Sequence, residues 1–257
     1  MVIGVNKFRE YFKDFADSYI IIGGTACDII LEDAELVPRA TKDIDMILIA
    51  EALKPEFVKQ FWSFIKEANY ERKEKCEDER KYYRFLKPEK KDFPKQIELF
   101  SRIPDLLDID EESHLTPIPT GEFLSSLSAI LMNEDYYNYT LEHSMVKDNI
   151  HIANTEALIC LKVKAFLDLT ERLEKGEPVK KDDIPKHKKD VFRMAAMFTS
   201  EDVFELPDSI KANMQNFANV IKNELPDKRM FKDLGLPQID VSALFKQFLS
   251  NFKLEKE

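Results

Sequence analysis

The chain has 257 residues, 44% of them hydrophobic, and a formal charge of −10 from 38 Lys and Arg against 48 Asp and Glu. That is enough for one large domain or two modest ones without disulfide or metal staples, and its apolar content excludes a disordered chain. The acidic balance excludes a uniformly basic nucleic-acid coat, though not a local basic groove.

The three cysteines, Cys27, Cys76 and Cys160, are far apart and form no CxxC pair. This excludes a disulfide framework or zinc knuckle and fits a reducing compartment. The four histidines show no zinc-binding spacing. The first residues, MVIGVNKFREYFKDF, lack the basic-then-apolar order of a signal peptide. The longest apolar runs, Tyr19–Ile22 and Met46–Ala50, fall far short of the ~20 residues that span a bilayer. A soluble, cytoplasmic protein without a membrane partner is expected.

In chain order, Phe8, Tyr11, Phe12 and Phe15 fall at helical spacing. Tyr19–Ile22 reads as a short buried strand, broken by Gly23-Gly24, after which Thr25 can cap a helix running to about Leu31. A polar connection, Glu32–Lys42, leads to a second strand, Asp43–Ile49. Pro55–Ala68 is a helix with Phe57, Phe61, Trp62, Phe64 and Ile65 on its buried side. From Tyr70 the pattern alternates, placing strands at Lys81–Leu86 and Lys95–Ser101, with the charged stretch Arg72–Arg80 as a hairpin tip. Residues 104–122 are rich in proline and acid. Tyr137–Val146 and Asn149–Ile152 read as a further strand pair. From Asn154 onward the pattern is helical: Glu156–Leu173 capped by Asn154 or Thr155, then helices near 184–198, 208–224 and 240–252. The chain is therefore expected to be α/β (α+β), with a mixed sheet and flanking helices over 1–152 and a helical domain over 153–257.

Three features carry chemistry. Gly23-Gly24 are two of only six glycines. They stand where a strand meets a helix, so phosphate could approach the backbone and the unpaired N–H groups of the helix N-terminus. A tight turn without a ligand is the alternative. Asp43 and Asp45 are two apart on a strand and share one face. Their mutual repulsion is relieved by a divalent cation, and oxygen ligands suit Mg²⁺ or Mn²⁺; two solvated acids at a strand end are the alternative. Glu98, between apolar residues in QIELF, would complete a two-metal site, or else face water from an edge strand.

Taken together, strand–Gly-Gly–helix, then D-x-D, then an acid flanked by apolar residues resembles the signature of the nucleotidyltransferase superfamily. IIGGTACDII, PRATKDIDMILI and the later ALICLKVKAF and KKDVFRMAAMF resemble the AbiEii type of abortive-infection toxin, over roughly residues 19–198. That resemblance implies a nucleotidyltransferase fold and further site residues. Lys162 matches a helical lysine that neutralises triphosphate charge, Asp190 matches a helical aspartate that positions it or the acceptor, and Arg39 and Thr41 match an R-x-T pattern that contacts nucleotide. Gly23, Gly24 and Thr25 would touch phosphate, while Asp43, Asp45 and Glu98 would be catalytic and hold the metal. The sequence departs from the pattern in the 19 positions from Gly24 to Asp43, in Glu at the third acid, and in Lys164 as a rival to Lys162, about 200° round the same helix.

The implied activity is Mg²⁺- or Mn²⁺-dependent transfer of a nucleotide from an NTP to an acceptor, with the site in the cleft between the two halves. By the resemblance, the acceptor is RNA, a tRNA end among the options, and the setting is toxin–antitoxin or phage defence with an antitoxin protein as partner. Nucleotidylation of a protein or small molecule, or a non-catalytic nucleotide-binding module, are the alternatives. Lys180–Lys189 is the better polyanion surface; Lys87–Lys95, Arg72–Arg80 and the paired tyrosines Tyr82-Tyr83 and Tyr136-Tyr137 read as ordinary solvated or packed segments.

Overall fold

The computed structural model describes residues 3–39, 41–49, 52–77, 80–101, 116–117, 130 and 133–255. The chain divides into two compact units. The first is formed by Met1–Ile29, Arg39–Phe123 and Ser144–Ala153, the second by Ile30–Pro38, Leu124–His143 and Asn154–Glu257. The class is mixed α/β with a largely helical second unit.

The first unit contains α1 (Val5–Phe12), β1 (Tyr19–Ile22), the start of α2 (Gly23–Asp33), β2 (Asp43–Leu48), α3 (Pro55–Glu67), β3 (Glu71–Glu77), β4 (Arg80–Leu86), β5 (Gln96–Ser101), β6 (Thr116–Pro117), β7 (Ser144–Lys147) and β8 (Ile150–Ala153), numbered over the described residues. These strands form one mixed sheet in the order β6-β3-β4-β5-β2-β1-β8-β7. The central neighbours matter most. β1 runs antiparallel to β2, pairing Ile22 with Asp45. β2 runs parallel to β5, pairing Asp43 with Gln96 and Asp45 with Glu98. β5 runs antiparallel to β4, pairing Glu98 with Arg84.

α1 and α3 bury their aromatic faces together over β1. Phe8, Phe12, Phe57, Phe61 and Phe64 are all completely buried. Phe8 meets Tyr19 edge-on at 5.2 Å, and Phe12 lies 5.4 Å from Phe64 and 5.5 Å from Phe57. Ring pairs at such separations stabilise beyond their area burial. Pro55 opens α3, where its missing N–H costs nothing and its fixed φ suits the first turn.

The second unit contains α4 (Glu134–Glu142), α5 (Thr155–Glu174), α6 (Asp183–Ala195), α7 (Asp208–Ile221), α8 (Arg229–Asp233) and α9 (Val241–Asn251). Its core joins Phe166 to Phe217 at 5.2 Å and Phe248 to Phe252 at 5.2 Å. Asp240 caps α9, accepting from the Ser242 and Ala243 N–H groups. No described helix is long and apolar enough to cross a membrane.

The structure corrects the sequence reading of several elements. Residues 137–142 are helix, not strand: Asn133 accepts from the N–H groups of Asp135 and Tyr136, and Glu134 and Asp135 occupy the first turn of α4. The cap and the helix dipole outweigh the strand preference of the tyrosines, and Tyr137 and Tyr139 mimic alternation by accident. The charged stretch after Tyr70 is not a hairpin tip but mostly β3, laddered to β4 from Glu71↔Leu86 to Glu77↔Arg80; residues 78–79 lie outside the described residues. A ladder of backbone hydrogen bonds needs no apolar side chains, so hydrophobic alternation does not report it. Asn154 sits at the start of α5 but its side chain makes no capping bond; its amide instead donates to Glu156. Of the segment 104–122, only residues 116–117 lie within the described residues.

Phe12 touches rings from α1, β1 and α3. Phe12→Ala should therefore cost about 3–5 kcal/mol, measured by urea unfolding. A loss under about 1 kcal/mol would show that the aromatic cluster collapses around the void.

Candidate functional site

The polar groups gather where β1 turns directly into α2. No loop separates them: β1 ends at Ile22 and α2 begins at Gly23. Gly23 has φ +71°, a conformation that L side chains rarely adopt, and a methyl group placed there would lie 2.1 Å from Asp45 Oδ2. The Asp45 carboxylate thus packs against the backbone at the first turn of α2. A methyl group on Gly24 would meet Thr41 Oγ1 at 2.7 Å and Arg39 Nη2 at 3.0 Å. Both glycines are required by close approach, and the approaching groups are the ones singled out from the sequence: Asp45, Thr41 and Arg39.

Thr25 does not cap the helix. It is completely buried, and its hydroxyl donates across to the Asp43 carbonyl at 2.5 Å. A second bond runs the other way between the same segments: the Thr41 N–H donates to Asp28 Oδ2 at 2.6 Å. Asp28 was not among the candidates from sequence. Its one visible signal is an acid set among apolar neighbours in ACDII, the pattern that drew attention to Glu98, but on a helix it reads as an ordinary polar position.

On the sheet, Asp43 and Asp45 share a face and are half-buried, while Ile44, Met46 and Leu48 are buried completely. Register places Glu98 beside Asp45 and Gln96 beside Asp43. Glu98 is 5% exposed, and its Oε1 accepts from Arg84 Nε at 2.8 Å and from Gln96 Nε2 at 2.9 Å. Glu98 is therefore a buried, charge-paired acid, and its Arg84 partner was also missed from sequence. Among the described residues, no group of three or more His, Cys, Asp or Glu stands together as a metal site. Asp43 and Asp45 supply hard oxygen donors on one accessible face, a set that fits Mg²⁺ or Mn²⁺.

Lys162 and Asp190 belong to the second unit. Lys162 on α5 is 2% exposed and Asp190 on α6 is 4% exposed, with Nζ 3.2 Å from Oδ2. Arg193, one turn beyond Asp190, is 3.9 Å from its other oxygen. Lys164 pairs instead with Asp168 at 2.8 Å near the surface, so the two lysines do project from different sides of α5.

No protein-family model and no curated protein sequence matches the chain. A crystal structure of an antigenic nucleotidyltransferase-like protein from Paracoccidioides brasiliensis is similar to it with a TM-score of 0.40 and 13% identity, covering 96% of this chain and 100% of that one. Neither fold nor activity is carried over at that level of likeness.

Two outcomes follow from the geometry. Gly23→Ala should destabilise the protein by about 1–2 kcal/mol from the left-handed backbone alone, with displacement of Asp45 added; wild-type stability on urea unfolding would contradict the close approach. Lys162→Met leaves the Asp190 carboxylate buried without its ammonium partner and should cost about 3–5 kcal/mol. Adding Asp190→Asn should recover most of that loss, because the stranded charge is gone. A double variant no more stable than the single one would show that the pair is not the source of the loss.

Proposed function

We propose that the first unit is the catalytic part of a metal-dependent nucleotidyltransferase, which moves a nucleoside monophosphate from an NTP to an acceptor hydroxyl. The observation that carries this is the Asp45 carboxylate packed against Gly23 at the first turn of α2, with Asp43 on the same sheet face. A helix N-terminus attracts anions, whereas a carboxylate pair repels them. A ligand that satisfies both is a polyanion carrying a divalent cation, and the triphosphate of an NTP with Mg²⁺ or Mn²⁺ is such a ligand.

Asp43 and Asp45 would hold the ion. Bound there, it supplies charge neutralisation to the triphosphate and to the pyrophosphate that leaves. Gly23 and Gly24 let Asp45, Thr41 and Arg39 close on the backbone at the first turn of α2, beside which the phosphates would lie. Arg39, beside Gly24, adds a fixed cationic fork suited to phosphate oxygens. Thr41 packs its side chain against the same glycine and so helps set the position of Arg39. Glu98 has one oxygen committed to two donors, so its task here is to fix Arg84 and the charge beside Asp45 rather than to take a proton. In the reaction, the acceptor oxygen bonds to the α-phosphorus as the bond to pyrophosphate breaks, and the hydroxyl proton passes to solvent water or to the leaving pyrophosphate. By the resemblance of its motifs to the AbiEii type of toxin, the acceptor would be an RNA, a tRNA end among the options, and the partner an antitoxin protein. The buried Lys162–Asp190 pair carries no step in this scheme.

Full-length protein should unfold at higher temperature with Mg²⁺ and NTP together than with either alone. The gain should approach about 2.7 kcal/mol at a hundredfold excess over Kd. Asp43→Asn with Asp45→Asn should abolish it. An undiminished shift in the double variant, or one that persists in EDTA, would overturn the assignment.

A further inference from the structure

Asp28 has no role in the scheme above, yet it is among the most deeply buried polar side chains of the first unit, at 1% exposure. It lies four residues after Gly24 on α2, so the two share one helix face. That face receives the segment leading into β2. Gly24 receives it by having no side chain: Thr41 and Arg39 close on the place where a Cβ would be. Asp28 receives it by a bond, its Oδ2 accepting the Thr41 N–H at 2.6 Å. The other oxygen, Oδ1, is buried with no hydrogen-bond partner among the described residues, and so is Thr41 Oγ1.

Burying a carboxylate is costly, and one with an unsatisfied oxygen is costlier still. A side chain kept only for packing at this position would be apolar. What the acid secures is an anchor for the Thr41 backbone, which lies against Gly24 together with Arg39. Thr25 fixes the next stretch by its bond to the Asp43 carbonyl, two residues further on.

We infer that Asp28 is a positioning residue: it holds the Thr41 backbone on α2 so that the neighbouring Arg39 guanidinium is pre-placed for the phosphates of an NTP bound beside Gly23-Gly24. This rests on the nucleotide reading above. Asp28 is buried and would touch no ligand. It acts by removing the freedom of a segment that would otherwise have to be ordered on binding.

The test uses full-length protein and two measurements. One is hydrogen exchange of the Thr41 amide, referred to amides in the core of the first unit. The other is the Kd of whichever of the four Mg·NTPs binds most tightly. Asp28→Ala should speed Thr41 exchange relative to the core and weaken nucleotide binding about tenfold to a hundredfold, the equivalent of one lost charge-assisted contact. Asp28→Asn, whose amide oxygen can accept the same N–H, should restore both. Should Asp28→Ala not fold, Asp28→Ser removes the reach of the acceptor and is read in the same way. Wild-type exchange and wild-type Kd in Asp28→Ala, with only the unfolding midpoint lowered, would overturn the inference by showing a purely structural acid. If wild-type protein binds no Mg·NTP, the nucleotide reading fails, and the ligand half of this inference fails with it. The exchange result then decides the anchoring half alone.

Discussion

The placement of the Asp43–Asp45 face depends on how the first two turns of α2 grip the chain entering β2. Two hydrogen bonds of opposite sense make that grip: Thr25 donates to the Asp43 carbonyl, and Asp28 accepts from the Thr41 N–H. Because β1 passes into α2 without a loop, the helix has no slack and β2 must come to it. Gly23 and Gly24 permit the approach, since any side chain there would strike Asp45 or Thr41. Asp45 is thereby held against the N-terminal turn of a helix with Asp43 on the same sheet face, the pairing of carboxylates with an anion-attracting dipole on which the proposed function rests.

The sheet completes the arrangement. Parallel pairing of β2 with β5 carries Glu98 into line with Asp45, and antiparallel pairing of β5 with β4 brings Arg84 to Glu98. An acid buried this deeply is tolerable because it is paired and hydrogen-bonded. In the second unit the same rule explains Lys162. An ammonium 2% exposed persists on α5 because Asp190 comes to it from α6. A lysine of this kind is held in place by its partner rather than left mobile to follow a ligand.

Much of this was legible in the sequence, for identifiable reasons. Strand and helix starts around Gly23-Gly24 and Asp43 were visible because glycine and like-charged pairs are costly wherever they are not needed. The aromatic face of α3 followed from spacing alone. The spacing argument that separated Lys162 from Lys164 agrees with their different partners. What escaped was what depends on pairing in space. β3 is too charged to betray itself by apolar alternation, and α4 carries tyrosines whose strand preference hid the Asn133 cap. Asp28 and Arg84 became visible only once register and helix phase had placed them against Thr41 and Glu98.

Catalysis at the Asp43–Asp45 face would transfer the nucleotidyl part of an NTP. The most direct measurement incubates the protein and Mg²⁺ with NTPs labelled at either the α- or the γ-phosphorus, in the presence of total RNA or total protein, and follows label into macromolecules. Covalent label from the α-phosphorus and none from the γ-phosphorus, lost in Asp45→Asn, is the predicted result. Label arriving from the γ-phosphorus, or α-label undiminished in Asp45→Asn, would contradict it.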